Sequence, residues 1–282
     1  MGIMRPCKPN AAYCGAFIFG AALLLYAGSV HAAGTPIPHG TLELIAENQW
    51  VAAGYTVSLG LRFQLEKGWH IYWSNPGDSG EPPRVTWELP AGLTVGAIEW
   101  PAPKRLGAST IVDYGYEDAV TLIVPMHAEP SLAAEQPARL GAEVKVLVCR
   151  ETCIPGKAEL SLTLPIKAQV PAPDPRTADL FMATRKSLPR TAPGNWKFSV
   201  TEANGSFVLT GKLGRQISQA SFFPLAESQI DNSAPQKVLP DADGFRLTLR
   251  KSEQLLKPME RLKGVLVLSA GQAYLIDVPL SK

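Results

Sequence analysis

VLVCRETCIPG, residues 146–156, is the stretch whose reading decides the fold. Val144, Val146 and Val148 lead into it, and Leu160, Leu162 and Leu164 follow it with Glu159, Ser161 and Thr163 between them. Alternation of period 2 marks a half-buried strand, so two strands are predicted, joined by the short polar connection Arg150, Glu151 and Thr152. Cys149 and Cys153 then face each other across the mouth of a hairpin, where Cα atoms come within roughly 6 Å, the range a disulfide spans. A reversible cysteine pair at an accessible turn is the central functional expectation.

The same alternation recurs on both sides. Residues 41–46 (TLELIA) and 55–65 (YTVSLGLRFQL) read as half-buried antiparallel strands. In GWHIYWSNPGDSGEPP, residues 68–83, an aromatic strand is predicted to run into an exposed loop, because Asn75-Pro76-Gly77-Asp78-Ser79-Gly80 is turn chemistry. Residues 85–89, 93–100 and 119–125 add strands, with a turn-rich stretch at 101–118, and residues 141–149 and 157–166 close the unit. Seven to nine short strands of this kind fit an immunoglobulin-like sandwich at residues 40–168. QVPAPDP at 169–175 reads as a linker; residues 176–188 place Ala178, Phe181, Met182 and Arg185 at helical spacing before Pro189. Six further strand patterns, at 196–201, 206–213, 220–224, 244–250, 264–269 and 273–279, predict a second β-rich domain over 194–282 without a catalytic constellation. The fold class expected is therefore all-β: an immunoglobulin-like sandwich, a linker with a short helix at 169–193, and a second β-rich domain. The 25 prolines and 24 glycines spread among the strands agree with many turns.

The N-terminal segment carries a different signal. Arg5 and Lys8 precede an apolar run at 16–30, and Val30-His31-Ala32 supplies small residues at a cleavage position, so residues 1–33 read as a secretory signal peptide. The run is shorter than the roughly 20 residues that cross a bilayer. Removal of this segment takes Cys7 and Cys14 away and leaves Cys149 and Cys153 as the only cysteines. It also brings the 27 basic side chains level with the 25 acidic ones. A neutral chain without a basic cluster is not built for nucleic acid, whose affinity depends on gathered Lys and Arg. Export to an oxidising compartment lets a disulfide persist.

Three roles suit the cysteine pair. As a structural staple it does little: closing a loop of about 5 residues stabilises by about 2 kcal/mol, against nearly 5 kcal/mol for a loop of about 100. As a copper site, the two thiolates need a third ligand such as His70, His127 or Met126, and none of these adjoins the cysteines in sequence. As an exchange site, the pair depends on thiolate formation and access. Arg150 and Lys157 favour a thiolate there and Glu151 opposes it.

GWHIYWSNPGDSG, the later DYGYED of residues 113–118, and VLVCRETCIPG, in this order within one β unit, resemble the N-terminal periplasmic domain of the thiol:disulfide interchange protein DsbD, most closely its ScsB-like branch. The resemblance covers most of residues 42–165, and the region to residue 279 is similar to the extension found in that branch. It implies an immunoglobulin-like redox domain that takes electrons from a membrane-embedded carrier and its thioredoxin-like domain and passes them to exported disulfide-containing client proteins, with no cofactor. By that likeness Cys153 forms the mixed disulfide and Cys149 resolves it. An aromatic cap over the cysteines is matched by Asp113, Tyr114 and Tyr116, while Trp69, Tyr72 and Trp73 read as core and rim of the same pocket rather than as chemistry. The family's membrane domain would begin near Lys282, so the chain is expected either to take electrons from a separate protein or to be a relic that binds rather than reduces.

Overall fold

The computed structural model describes residues 1–2, 34–107, 110–133 and 136–281. The signal-peptide reading falls on residues 3–33, outside the described residues. From Gly34 onward the chain forms one compact unit. Its first part holds eleven strands: β1 (Thr35–Ile37), β2 (Gly40–Ala46), β3 (Thr56–Leu65), β4 (His70–Gly77), β5 (Arg84–Glu88), β6 (Leu93–Val95), β7 (Lys104–Leu106), β8 (Asp113–Glu117), β9 (Ala119–Ala128), β10 (Ala138–Cys149) and β11 (Cys153–Leu164). They form two sheets of order β1-β2-β3-β9-β6 and β11-β10-β4-β8-β7, with β5 paired to the start of β10. Leu42, Leu59, Phe63, Ile71, Leu122 and Val148 fill the core that these strands share. This is the immunoglobulin-like, nearly all-β arrangement that the alternation predicts.

Two stretches read as turns are strands, for identifiable reasons. β8 is DYGYE, and its central Gly115 looks like a breaker. A Cβ at Gly115 would collide with the Ile71 carbonyl, so glycine there marks the close approach of the neighbouring backbone. β4 runs on to Gly77 rather than stopping at Asn75, because a bulge absorbs the turn residues. Tyr72 pairs with Gly115 and Gly77 pairs with Asp113, so the residues between them on β4 have only Tyr114 opposite.

The helix α1 (Ala178–Ser187) lies inside the predicted span and explains an oddity of β3. Residues 57–61 of β3 are buried on both faces, where alternation alone predicts one. Phe181, fully buried, covers the outer face at Gly60, and a Cβ on Gly60 would stand 3.0 Å from the Phe181 ring. Arg185 holds the other end of the helix, with a bidentate pair to Glu47 (3.0 and 2.7 Å) and a 2.8 Å bond to the Ser58 hydroxyl. The proline-rich segment before the helix is tied down as well. Trp50 Nε1 donates to the Gln169 carbonyl, Gln49 Nε2 to that of Pro173, and Thr177 Oγ1 to that of Ala46.

The rest of the chain builds two four-stranded sheets. β12 (Arg190–Thr191), β15 (Ala220–Pro224), β18 (Arg261–Leu268) and β19 (Ala273–Pro279) make one, in the order β12-β19-β18-β15. β13 (Lys197–Ala203), β14 (Ser206–Lys212), β16 (Lys237–Asp241) and β17 (Gly244–Arg250) make the other, in the order β13-β14-β17-β16. β12 and β16 escape a pattern reading, since one is two residues long and the other, KVLPD, is largely exposed and contains proline. Phe223, Val265 and Ala273 from these sheets join the core of the first two. Phe223 stands edge-on to Trp73 and Tyr114, with ring centroids 6.3 and 5.1 Å away.

Truncating Phe181 to alanine removes the only helix side chain that is fully buried, beneath which glycine offers nothing to collapse into the space. Phe181→Ala is expected to lower the unfolding free energy by roughly 3–5 kcal/mol, read from urea denaturation with the disulfide intact.

Candidate functional site

The two cysteines are the last residue of β10 and the first of β11, directly paired across the hairpin with Cα atoms 4.1 Å apart and joined by a disulfide. They are unequal. Cys149 is buried, at 1% exposure, while Cys153 is exposed. β10 meets β4 at a single pair, Cys149 opposite His70. Paired residues of antiparallel strands project to the same face, so Cys149, Cys153, His70 and Tyr72 share one face of the sheet. The Tyr72 hydroxyl lies 3.4 Å from Cys153 Sγ; a disulfide sulfur carries no proton, so the phenol donates. The His70 ring stands edge-on to Tyr72 at 5.3 Å.

A short lid of backbone covers Tyr72. Gly80, at φ +74°, passes directly over its ring, and a Cβ there would land on the ring carbons. Asp113 holds this loop in place, accepting from the Ser79 amide (3.0 Å) and hydroxyl (2.9 and 3.0 Å). Asp78 accepts from the Val112 amide and from Asn232 Nδ2, both at 2.8 Å. Asn75 Nδ2 donates to the Pro224 carbonyl at 2.8 Å. The loop beside the disulfide is thus moored to the strands beyond α1 as well as to β8.

Burial sets the protonation states here. It pushes the Tyr72 phenol up, with the nearby Asp113 charge adding to the shift against a bond to Ser79, so the hydroxyl keeps its proton. Burial likewise raises the Asp113 carboxyl, although the Ser79 bonds and His70 oppose it. His70 is lowered, mainly by burial, against the pull of Asp113 and Glu117. Its Nε2 is shut away from solvent and has no hydrogen-bond partner among the described residues.

The structure gathers only some of the residues singled out in the sequence. Cys149, Cys153, Tyr72 and Asp113 come together. Tyr114 and Tyr116 do not reach the sulfurs, because Tyr116 pairs with Ile71 and therefore faces the core, and Tyr114 shares its parity. Tyr114 is fully buried, with its hydroxyl donating to Asn232 Oδ1 at 2.8 Å, and Tyr116 donates to the Pro101 carbonyl at 2.7 Å. Trp69 is buried in the core, stacks on His39 at 3.7 Å and carries the Arg150 guanidinium 5.2 Å from its ring centroid. Arg150 thereby pins the hairpin tip. Lys157 is engaged by carboxylates, paired with Glu143 at 2.9 Å and Glu159 at 3.2 Å. Of the three side chains considered as a copper ligand, His70 alone shares the cysteines' face; Met126 and His127 lie on β9 in the other sheet. Among the described residues no cluster of three or more His, Cys, Asp or Glu is placed to hold a metal ion. Ser79 and Asn232 are parts of the site that no local pattern announces, since each acts through a contact distant in sequence, and Gly80, read only as turn chemistry, is the residue that lies over Tyr72.

These features define the first two sheets as an immunoglobulin-like domain with a disulfide at the mouth of a hairpin. Residues 42–165 match the family model described as thiol:disulfide interchange protein DsbD, N-terminal, which supports a thiol-disulfide interchange domain there. The fold of the chain is similar to the crystal structure of the N-terminal periplasmic domain of ScsB from Proteus mirabilis. That match has a TM-score of 0.64 at 17% identity and covers 86% of this chain and 94% of that one, so it includes the sheets beyond α1. The periplasmic chaperone SfaE (TM-score 0.22, 10% identity, 84% of this chain and 98% of that one) and the major pilin subunit of Bacillus cereus (0.28, 9%, 86% and 67%) share too little of the arrangement to bear on it. A search of curated proteins found no match. No helix among the described residues is long and apolar enough to cross a membrane.

Two outcomes follow from this geometry. Gly80→Ala is expected to dislodge the loop from Tyr72 and to speed reduction of the disulfide by dithiothreitol several-fold, followed by free-thiol release. The second concerns pH. Because burial disfavours protonated His70, the unfolded chain binds more protons than the folded one below the ordinary histidine value of about 6.5. Stability is therefore whole above that pH and declines as pH falls below it, while Asp113, shifted upward, works in the opposite sense at more acid pH. Urea midpoints measured across this range should fall less steeply with acid in His70→Gln than in the parent.

Proposed function

We propose that this protein is an exported thiol-disulfide exchange component of the periplasm, relaying electrons from a membrane-embedded redox carrier with a thioredoxin-like domain to exported proteins that carry disulfides. The single observation that carries the reading is the inequality of the two sulfurs: one exposed and hydrogen-bonded by a phenol, the other buried beneath it. Exchange proceeds by in-line attack of a thiolate on a disulfide sulfur, and only a reachable sulfur can begin it.

In the reduced form the Cys153 thiolate attacks a client disulfide. A bond forms between Cys153 Sγ and one client sulfur, and the other client sulfur leaves as a thiolate that takes a proton. Cys149 then attacks Cys153 Sγ, the intermolecular bond breaks, and the second client sulfur leaves. Two electrons and two protons pass to the client and the Cys149–Cys153 bridge is restored. The upstream dithiol runs the same steps in reverse. The Tyr72 hydroxyl, held protonated by burial, stabilises negative charge on Cys153 Sγ whenever that sulfur is attacking or leaving. The segment 194–282 serves as support, mooring the loop over Tyr72 through Asn232 and the Pro224 carbonyl; the boundaries 40–168 and 169–193 for the redox domain and connecting segment belong to the same proposal, as does cleavage after residue 33.

The test is mixed-disulfide trapping. Cys149→Ser, reduced and incubated with a thioredoxin-like protein whose resolving cysteine is replaced and whose remaining cysteine carries a thionitrobenzoate disulfide, should release thionitrobenzoate and accumulate a covalent complex that dithiothreitol releases; Cys153→Ser should not. Equal trapping by both variants, or none by either, would overturn the assignment.

A further inference from the structure

Each sulfur of the bridge is paired with one aromatic side chain of β4: Cys153 with Tyr72 through the hydroxyl, and Cys149 with His70 through the strand register. Tyr72 has a task in the exchange proposed above, whereas His70 has none, although its position is the more constrained. It occupies the single point at which β4 pairs with β10, its ring is held edge-on by Tyr72, and its Nε2 is enclosed without a partner among the described residues.

An enclosed ring nitrogen with nothing to bond is costly, by roughly 1–3 kcal/mol. In the disulfide form Cys149 has no proton to give, and its sulfur makes no hydrogen bond with that nitrogen. Reduction changes this, because the Cys149 thiol gains a hydrogen on the same face and beside the same ring. The residue that carries the orphaned nitrogen thus lies directly across the sheet from a donor that exists only in the reduced state.

We propose that His70 accepts the proton of Cys149 as that thiol attacks the mixed disulfide, which makes it the general base of the resolving step. This rests on the exchange reading above and deepens it. The sulfur-hydrogen bond of Cys149 breaks and its proton goes to the imidazole; the sulfur lone pair forms the bond to Cys153 Sγ; the bond from Cys153 to the client breaks; the departing client sulfur takes up the proton that the imidazolium returns. The groups facing His70 suit this cycle. Asp113 and Glu117 on β8 stabilise the transient imidazolium, Tyr72 on β4 and Cys149 on β10 are neutral at rest, and the nearest cation of the hairpin tip, Arg150, is engaged on Trp69. Burial keeps the resting ring neutral and ready to accept.

The reaction separates into two observable phases with Ellman's reagent in stopped flow. Reduced full-length protein releases one coloured thiolate when Cys153 attacks and a second when Cys149 resolves; Cys149→Ser gives the first phase alone. In His70→Gln and His70→Phe the first phase is expected to be retained while the second slows by on the order of 100-fold at pH 7. The second-phase rate in the parent should level off above a histidine-like inflection, whereas in the variants it should climb toward the ordinary thiol value of about 8.5. A parent second phase that shows only the thiol inflection overturns the assignment whether or not the variants fold. Equal slowing of both phases also overturns it, because that marks a structural role. A parent that releases one thiolate or none refutes the exchange reading itself, and the role of His70 with it.

Discussion

The disulfide site depends on one register. β10 runs beside β11 for its whole length of 12 residues and touches β4 at its final residue alone. That one pair, Cys149 opposite His70, fixes the parity of every side chain around the bridge. It puts His70 and Tyr72 beside the sulfurs and sends Ile71 and Trp73 to the core. A slip of one residue along β4 would exchange the two sets, placing apolar side chains against the disulfide and burying a histidine and a phenol among leucines and valines. The aromatic contact of Trp73 and Tyr114 with Phe223 blocks such a slip, because those rings have a place to go only in the observed parity.

Energetics explain why a bridge here is free to open. A disulfide closing about 5 residues contributes about 2 kcal/mol by chain entropy, a small share of what holds the hairpin. The paired strands and the buried row Leu140, Val144, Val148 and Leu160 are held by backbone and apolar contacts in which the sulfurs take no part. Arg150 on Trp69 holds the tip independently of the bridge. Loss of the covalent bond therefore leaves the site's geometry in place, as a pair that opens and closes in each cycle requires.

The hairpin was legible in the sequence because both of its strands are local and alternate without interruption. The helix was legible too, through Phe181 and its proline stop, although its effect on β3 was not, since nothing in the β3 pattern says which element covers its second face. The aromatic partner was harder. DYGYE has two tyrosines close to one another and invites a capping role, yet parity and the bulge on β4 turn both into the core and leave Tyr72, fully buried and read as pocket rim, as the side chain that touches a sulfur. Lys157 adjoins the cysteines in sequence but answers to Glu143 across the hairpin and to Glu159 on its own strand. Ser79 and Gly80 read only as turn chemistry and Asn232 gave no signal, because the contacts of Ser79 with Asp113 and of Asn232 with Asp78 join segments far apart in the chain, which composition and spacing do not encode.

The central claim is that the Cys149–Cys153 bridge belongs to the exchangeable class rather than the architectural one. Equilibrating the folded protein against a graded glutathione or dithiothreitol couple and counting free thiols measures its reduction potential directly. A midpoint above about −300 mV, with the folded state's spectroscopic signature unchanged on reduction, is the result expected here. A midpoint well below that value, or collapse of the fold when the bridge opens, would make the disulfide a staple and contradict the account.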